Sequence, residues 1–189
     1  MTFDFAAARR VMVDTQVRPS DVTDIALHEA MRRVEREAFF PADKGHLAYA
    51  DATVEYAPGR WLLRPRDVAK LLNAIKPRAN EKALAIAAPY AGAVLDSLKL
   101  YVTRQDEDLK TPAAGEYDVI VCEGAVSSVP PTWLAALKPG GRLGVVVRNG
   151  PVGKARLYLR ADGETGYREL FDSTPPVLAG FEPAPGFAF

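Results

Sequence analysis

The sequence predicts an α/β fold: a mainly parallel sheet with a C-terminal antiparallel hairpin and an N-terminal helical extension. Three observations carry this expectation. Between Lys82 and Arg148, short unbroken apolar runs alternate with one-faced helical stretches, the pattern of βαβ units. From Lys154 the pattern changes to strict alternation around a turn signal, as in a hairpin. Before Arg64, apolar residues recur at helical spacing and no buried-strand run is found.

Phe5, Ala8 and Met12 mark a first helix, which Arg18-Pro19-Ser20 breaks because proline cannot continue it. Asp21-Val22-Thr23-Asp24 offers N-cap chemistry, and Leu27, Met31 and Val34 follow on one helical face. Phe39-Phe40-Pro41 closes that helix, and residues 42–64 read as loop. Pro65 opens a third helix at an N1-like position, with Val68, Leu71, Leu72 and Ile75 as its apolar face. Ala83-Leu84-Ala85-Ile86-Ala87, Tyr117 to Cys122 and Arg142 to Arg148 read as buried parallel strands. Val94, Leu95 and Leu98 mark the helix after the first, and Trp133, Leu134 and Leu137 a short helix before the third. Lys154 to Ala161 and Tyr167 to Phe171 form the hairpin around Asp162-Gly163. The tail from Pro175 reads as too proline-rich for regular structure. The chain divides into an N-terminal helical extension over residues 1–80 and a core over residues 81–189, in one compact domain overall.

Composition narrows the function classes. Hydrophobic residues make up 48% of the 189, enough for a core, and 24 Lys+Arg balance 24 Asp+Glu. Balanced charge argues for neither nucleic acid nor an anionic membrane as partner. No apolar stretch reaches membrane-spanning length and the first ten residues lack a signal-peptide core, so the expected location is cytoplasmic. The one cysteine, Cys122, lies in an apolar run and reads first as a buried small hydrophobe. A nucleophile there would need a base, and the two histidines, His28 and His46, are distant in sequence.

Several segments in order resemble the protein-L-isoaspartate O-methyltransferase family. They are Met12-Val13-Asp14-Thr15-Gln16-Val17-Arg18-Pro19, Arg36-Glu37-Ala38-Phe39-Phe40-Pro41, and Ala48-Tyr49-Ala50-Asp51. Tyr117-Asp118-Val119-Ile120-Val121 with Glu123-Gly124-Ala125, and Leu137-Lys138-Pro139-Gly140-Gly141-Arg142-Leu143, complete the set. The resemblance implies a Rossmann-like methyltransferase sheet, S-adenosylmethionine (SAM) as cofactor and a protein substrate or partner. The activity it implies is methyl transfer to isoaspartyl carboxylates in damaged proteins. If SAM binds, the walls of its site are expected to be Tyr90, Gly92, Asp106, Glu123 and Gly124. Glu123-Gly124 reads equally as a strand-ending turn, and Asp106 as part of a solvated turn with Glu107 and Asp108.

Three departures from the family pattern carry the functional expectation. The Gly-x-Gly-x-Gly loop, whose glycines let the backbone turn tightly against the cofactor, is replaced by Ala87-Ala88-Pro89-Tyr90-Ala91-Gly92. From Ala87 to Tyr117 there are 30 positions, whereas two strand–helix pairs belong there and one βαβ unit alone takes roughly 30 residues. At least one strand–helix pair is therefore expected to be missing, taken to be the second strand with its ribose-binding acid. Losing that acid alone weakens SAM roughly ten- to a hundredfold. Finally, Trp61-Leu62-Leu63 stands where the family reads Thr-Ile-Ser, and leucine can make no side-chain hydrogen bond; Trp61 reads as a packed aromatic before a ligand platform. The expected function is a catalytically degraded family member acting as a binding or regulatory protein. The alternative is an active isoaspartyl methyltransferase with a rebuilt pocket.

Overall fold

The computed structural model describes residues 4–183. Helix α1 (Phe5–Met12) starts where the Asp4 carboxylate accepts the Ala7 N–H at 2.9 Å, and a π turn over Val13–Val17 leads into the break at Arg18–Ser20. Helix α2 (Ile25–Arg33) is capped in the same way, Asp24 accepting the Leu27 N–H at 3.2 Å. The stretch expected to be loop holds more order than that. A 3-10 turn at Gly45–Leu47 precedes an antiparallel ribbon of β1 (Val54–Ala57) and β2 (Arg60–Leu62). Strands of four and three residues are too short to show a periodicity in sequence.

The core then runs α3 (Pro65–Ile75), β3 (Lys82–Ile86), α4 (Pro89–Ser97), β4 (Tyr101–Gln105), β5 (Tyr117–Val126), α5 (Pro131–Ala135), β6 (Leu137–Val147), β7 (Lys154–Ala161) and β8 (Glu164–Asp172). One six-stranded sheet forms in the order β4-β3-β5-β6-β7-β8. The first four strands in that order are parallel, and β7 and β8 are antiparallel additions. The alternation of side chains along each strand builds two layers. Ala83, Ala85, Val119, Val121 and Val146 face the helices α1 to α4, while Leu84, Ile86, Ile120, Cys122 and Val145 face Trp133, Leu109, Leu178 and Phe181. Cys122 is fully buried, in keeping with a small core hydrophobe.

A strand–helix pair is missing, but its place differs from the expectation. β4 pairs directly with β3 from Lys82↔Tyr101 to Ile86↔Gln105. In doubly wound sheets the second strand takes that position beside the first, and the third lies outside it. The lost strand is therefore the outermost one, and residues 106–116 lead straight from β4 to β5 without a helix. The tail also differs from expectation. Residues 184–189 lie outside the described residues, but residues 176–181 are held along the end of β5. Ala125 N–H donates to Pro176 O at 3.1 Å, Leu178 N–H to Ala125 O at 2.8 Å and Ser127 N–H to Phe181 O at 2.9 Å. A segment need not be periodic to add backbone hydrogen bonds to an open strand end.

Candidate functional site

In open α/β sheets ligands bind outside the carboxyl ends of the strands, where the chain reverses its direction of winding. Here that point is β3, which has β4 on one side and β5 on the other. Its end turns through Ala87, with φ at +45°, and Ala88 into Pro89 at the first position of α4. Ala87 thus holds a left-handed conformation that costs a residue with a Cβ about 1–2 kcal/mol. The backbone there has a geometry that glycine adopts freely. A helix N-terminus offers free N–H groups to an anion, and at α4 the Ala91 N–H donates at 2.6 Å to the Glu123 carboxylate, which arrives from β5.

Glu123 is completely buried, and its second oxygen accepts the Leu63 N–H at 3.2 Å. Burial pushes its carboxyl up to about 7, against the pull of Arg36 and of these two N–H donors. Arg36 is buried as well. Its Nη2 donates to Leu63 O at 2.6 Å, its Nε to Ala48 O at 2.7 Å, and the guanidinium lies 4.5 Å from the centre of the Tyr90 ring. The Leu63 peptide therefore stands between the two charges, its N–H on Glu123 and its C=O on Arg36. Burial lowers the Arg36 pKa and raises that of Tyr90. Three buried polar atoms around this centre have no partner among the described residues: Arg36 Nη1, Tyr90 Oη and Tyr56 Oη. Tyr56 stands on β1, and its hydroxyl pKa is raised by burial and then by the charges of Asp106 and Glu123.

The five residues expected as cofactor walls are distributed as follows. Tyr90, Gly92, Glu123 and Gly124 are all buried; Asp106 is exposed in the turn after β4, where its carbonyl accepts Arg60 Nη2 at 3.0 Å. Gly92 meets the sheet, since a Cβ there would lie 3.0 Å from the Ala85 Cβ. Gly124, with φ at +105°, lies under Leu178, and a Cβ there would come within 2.8 Å of the leucine's Cδ2. Trp61, opposite Glu55 in the β1–β2 ribbon, is part-exposed. Sequence reasoning missed Arg36, Tyr56 and Leu178 as members of this centre. Arg36 did carry a signal, since it opens one of the family-like segments; Leu178, inside a proline-rich tail, carried none.

The surrounding helices are tied to this centre. Arg9 of α1 donates to Tyr49 Oη at 3.0 Å and to Glu37 at 2.8 Å, and Tyr49 donates to Glu37 in turn. Burial pushes the Tyr49 hydroxyl up to about 12. Phe39, next in the same 3-10 turn as Arg36, meets the Tyr90 ring edge-on at 6.1 Å.

The chain is 31% identical to a protein-L-isoaspartate O-methyltransferase from Methylorubrum populi, over 92% of its own length and 96% of the relative's. The chain belongs to the protein-L-isoaspartate O-methyltransferase family. A relative of the same name from Rhodopseudomonas palustris is 33% identical over 70% of this chain and 74% of its own. No profile of a known protein family matches. The isoaspartyl methyltransferase of Plasmodium falciparum, solved in complex with S-adenosyl-L-homocysteine, shares the fold with a TM-score of 0.74 at 14% identity, covering 90% of this chain and 97% of that one. A second solved protein-L-isoaspartate O-methyltransferase gives a TM-score of 0.70 at 16% identity, over 95% and 67%. The Methylorubrum populi alignment spans 206 positions but uses only 92% of this 189-residue chain, about 174 residues. The alignment therefore holds about 32 positions with no counterpart in this chain. Among the described residues no helix is long and apolar enough to cross a membrane, and no cluster of ligating side chains suits a metal ion.

Proposed function

We propose that this family member has given up methyl transfer and serves as a binding or regulatory protein. One observation carries the reading: the Glu123 carboxylate sits on the Ala91 N–H at the start of α4, where a ligand's polar group would be received. The residues at the switch point do not fit SAM. Ala87 puts a methyl on the turn, Leu178 lies against Gly124, and Asp106, the first carboxylate after β4, is exposed. With the Leu63 side chain buried and apolar, no hydroxyl stands at that position to meet a substrate. Cytoplasmic residence and a protein partner complete the proposal, since the relatives are named for acting on protein.

Isothermal titration of the full chain with SAM and with S-adenosylhomocysteine tests it. No heat of binding is expected up to millimolar ligand, and micromolar affinity would end the proposal. A second reading, an active isoaspartyl methyltransferase with a rebuilt pocket, has one observation in its favour. The unpartnered Tyr56 and Tyr90 hydroxyls and Arg36 Nη1 lie around the switch point, and buried polar groups normally have partners. Transfer of labelled methyl from SAM to an isoaspartyl peptide would establish that reading, and its absence is expected.

A further inference from the structure

The two edges of the sheet are finished differently. β8 carries Glu164, Arg168, Glu169 and Asp172, and a bulge at Ala155/Arg156 disturbs its ladder with β7. Charges and bulges are the usual means of keeping an edge from pairing. β4 has one charged residue, Arg104, and that charge is already taken by Asp96 of α4. The residue that opens β4, Tyr101, is 66% exposed. The polar groups of the β4 backbone alternate in direction. Tyr101 N–H donates to Glu81 O and Gln105 O accepts from Ala87 N–H, so residues 101, 103 and 105 turn towards β3. Val102 and Arg104 therefore present their N–H and C=O groups outwards.

We propose that two copies of this chain pair through β4, antiparallel, across a two-fold axis at Thr103. That axis sets Val102 opposite Arg104 of the second copy, twice, and all the outward groups of these residues find partners in four backbone hydrogen bonds. Thr103 then faces Thr103, a favourable cross-strand pair, and Tyr101 faces Gln105. No like charges stand directly opposite, whereas an axis at Arg104 would oppose two guanidinium groups. A formal net charge of zero leaves no long-range repulsion between copies. The result is one continuous sheet running through both molecules, with the second copy in the place of the missing outer strand.

Sedimentation velocity on the full chain, from about 1 to 200 µM because so short a ladder gives a small interface, is the test. The wild-type chain is expected to shift from monomer to dimer across that range. Thr103 is exposed, so Thr103→Lys and Thr103→Glu keep the fold, checked by circular dichroism, yet each sets like charges face to face on the axis. Each variant alone is expected to remain monomeric, and an equimolar mixture of the two to recover the dimer. A wild-type chain that stays monomeric at the highest concentration overturns the proposal. So does a Thr103→Lys chain that dimerises like the wild type, which would place the contact on another surface.

Discussion

Two buried carboxylates in this chain are held in opposite ways. Asp67, on α3, is gripped directly: Arg64 Nε and Nη2 reach its two oxygens at 2.9 and 3.3 Å, and the Ser173 hydroxyl donates at 2.7 Å. That centre ties α3 to the chain leaving β8, and Arg64 remains partly open to solvent. Glu123 has no cation in contact. It accepts two backbone N–H groups, and its counter-charge, Arg36, lies across the Leu63 peptide. A charge in direct contact offsets much of the cost of burial, whereas two amides and a displaced cation offset less. Asp67 is thus a clasp, while Glu123 is a buried carboxyl held by the backbone.

The largest expected effect follows from removing the displaced cation. Arg36→Met leaves the Glu123 carboxyl buried with no counter-charge and removes the two donors, Nε and Nη2, that reach Ala48 O and Leu63 O. A loss of about 3–5 kcal/mol is expected in urea unfolding, the range for stripping one partner from a buried charge pair. A loss below about 1 kcal/mol would show that Glu123 is neutral and indifferent to Arg36.

Glu123 also carries a pH dependence. Folded, Glu123 takes its proton at about 7, against 4.5 for an ordinary glutamate. Between those values the folded chain holds a proton that the unfolded chain has released. The stabilisation linked to that proton is complete below about pH 4.5 and lost as pH rises through 7, a span of up to about 3 kcal/mol. Glu123→Gln should remove this slope and cost about 2 kcal/mol, because its amide nitrogen must face either the Ala91 or the Leu63 N–H. At the clasp, Ser173→Ala should cost about 1.5 kcal/mol, the loss of one hydrogen bond to a buried carboxylate that Arg64 still holds. An unaltered slope in Glu123→Gln would assign the titration to another group.

The parallel core and the hairpin were legible in sequence because buried strands and strict alternation leave direct patterns: the runs from Ala83 to Ala87 and from Tyr117 to Cys122 and the Lys154 hairpin fall on β3, β5 and β7, although β5 runs on to Val126. The family was legible in ordered segments such as Arg36 to Pro41. The identity of the missing strand was not, because Tyr101 to Gln105 reads the same in either position and only its pairing with β3 decides. The composition of the switch-point centre was illegible for a related reason. Glu123, Arg36, Tyr56 and Leu178 come from four distant segments, and what joins them is one peptide at Leu63, a turn at Ala87 and a backbone clamp on β5.

Ala87 gives the smallest effect and the clearest sign. Its φ of +45° is one that glycine adopts freely and alanine does not, while its N–H is fixed on Gln105 O at 2.8 Å, so the turn cannot relax without breaking the β3–β4 ladder. Ala87→Gly should therefore stabilise the chain by about 1 kcal/mol, the relief of left-handed strain less the entropy glycine adds to the unfolded state. Most glycine substitutions destabilise, so a gain here is specific to a turn held in a left-handed conformation. The same variant also takes away the methyl in the turn at the end of β3. If Glu123 is what closes the site, Ala87→Gly gains stability without gaining SAM affinity, whereas SAM binding appearing on this single change would place the block at Ala87 instead.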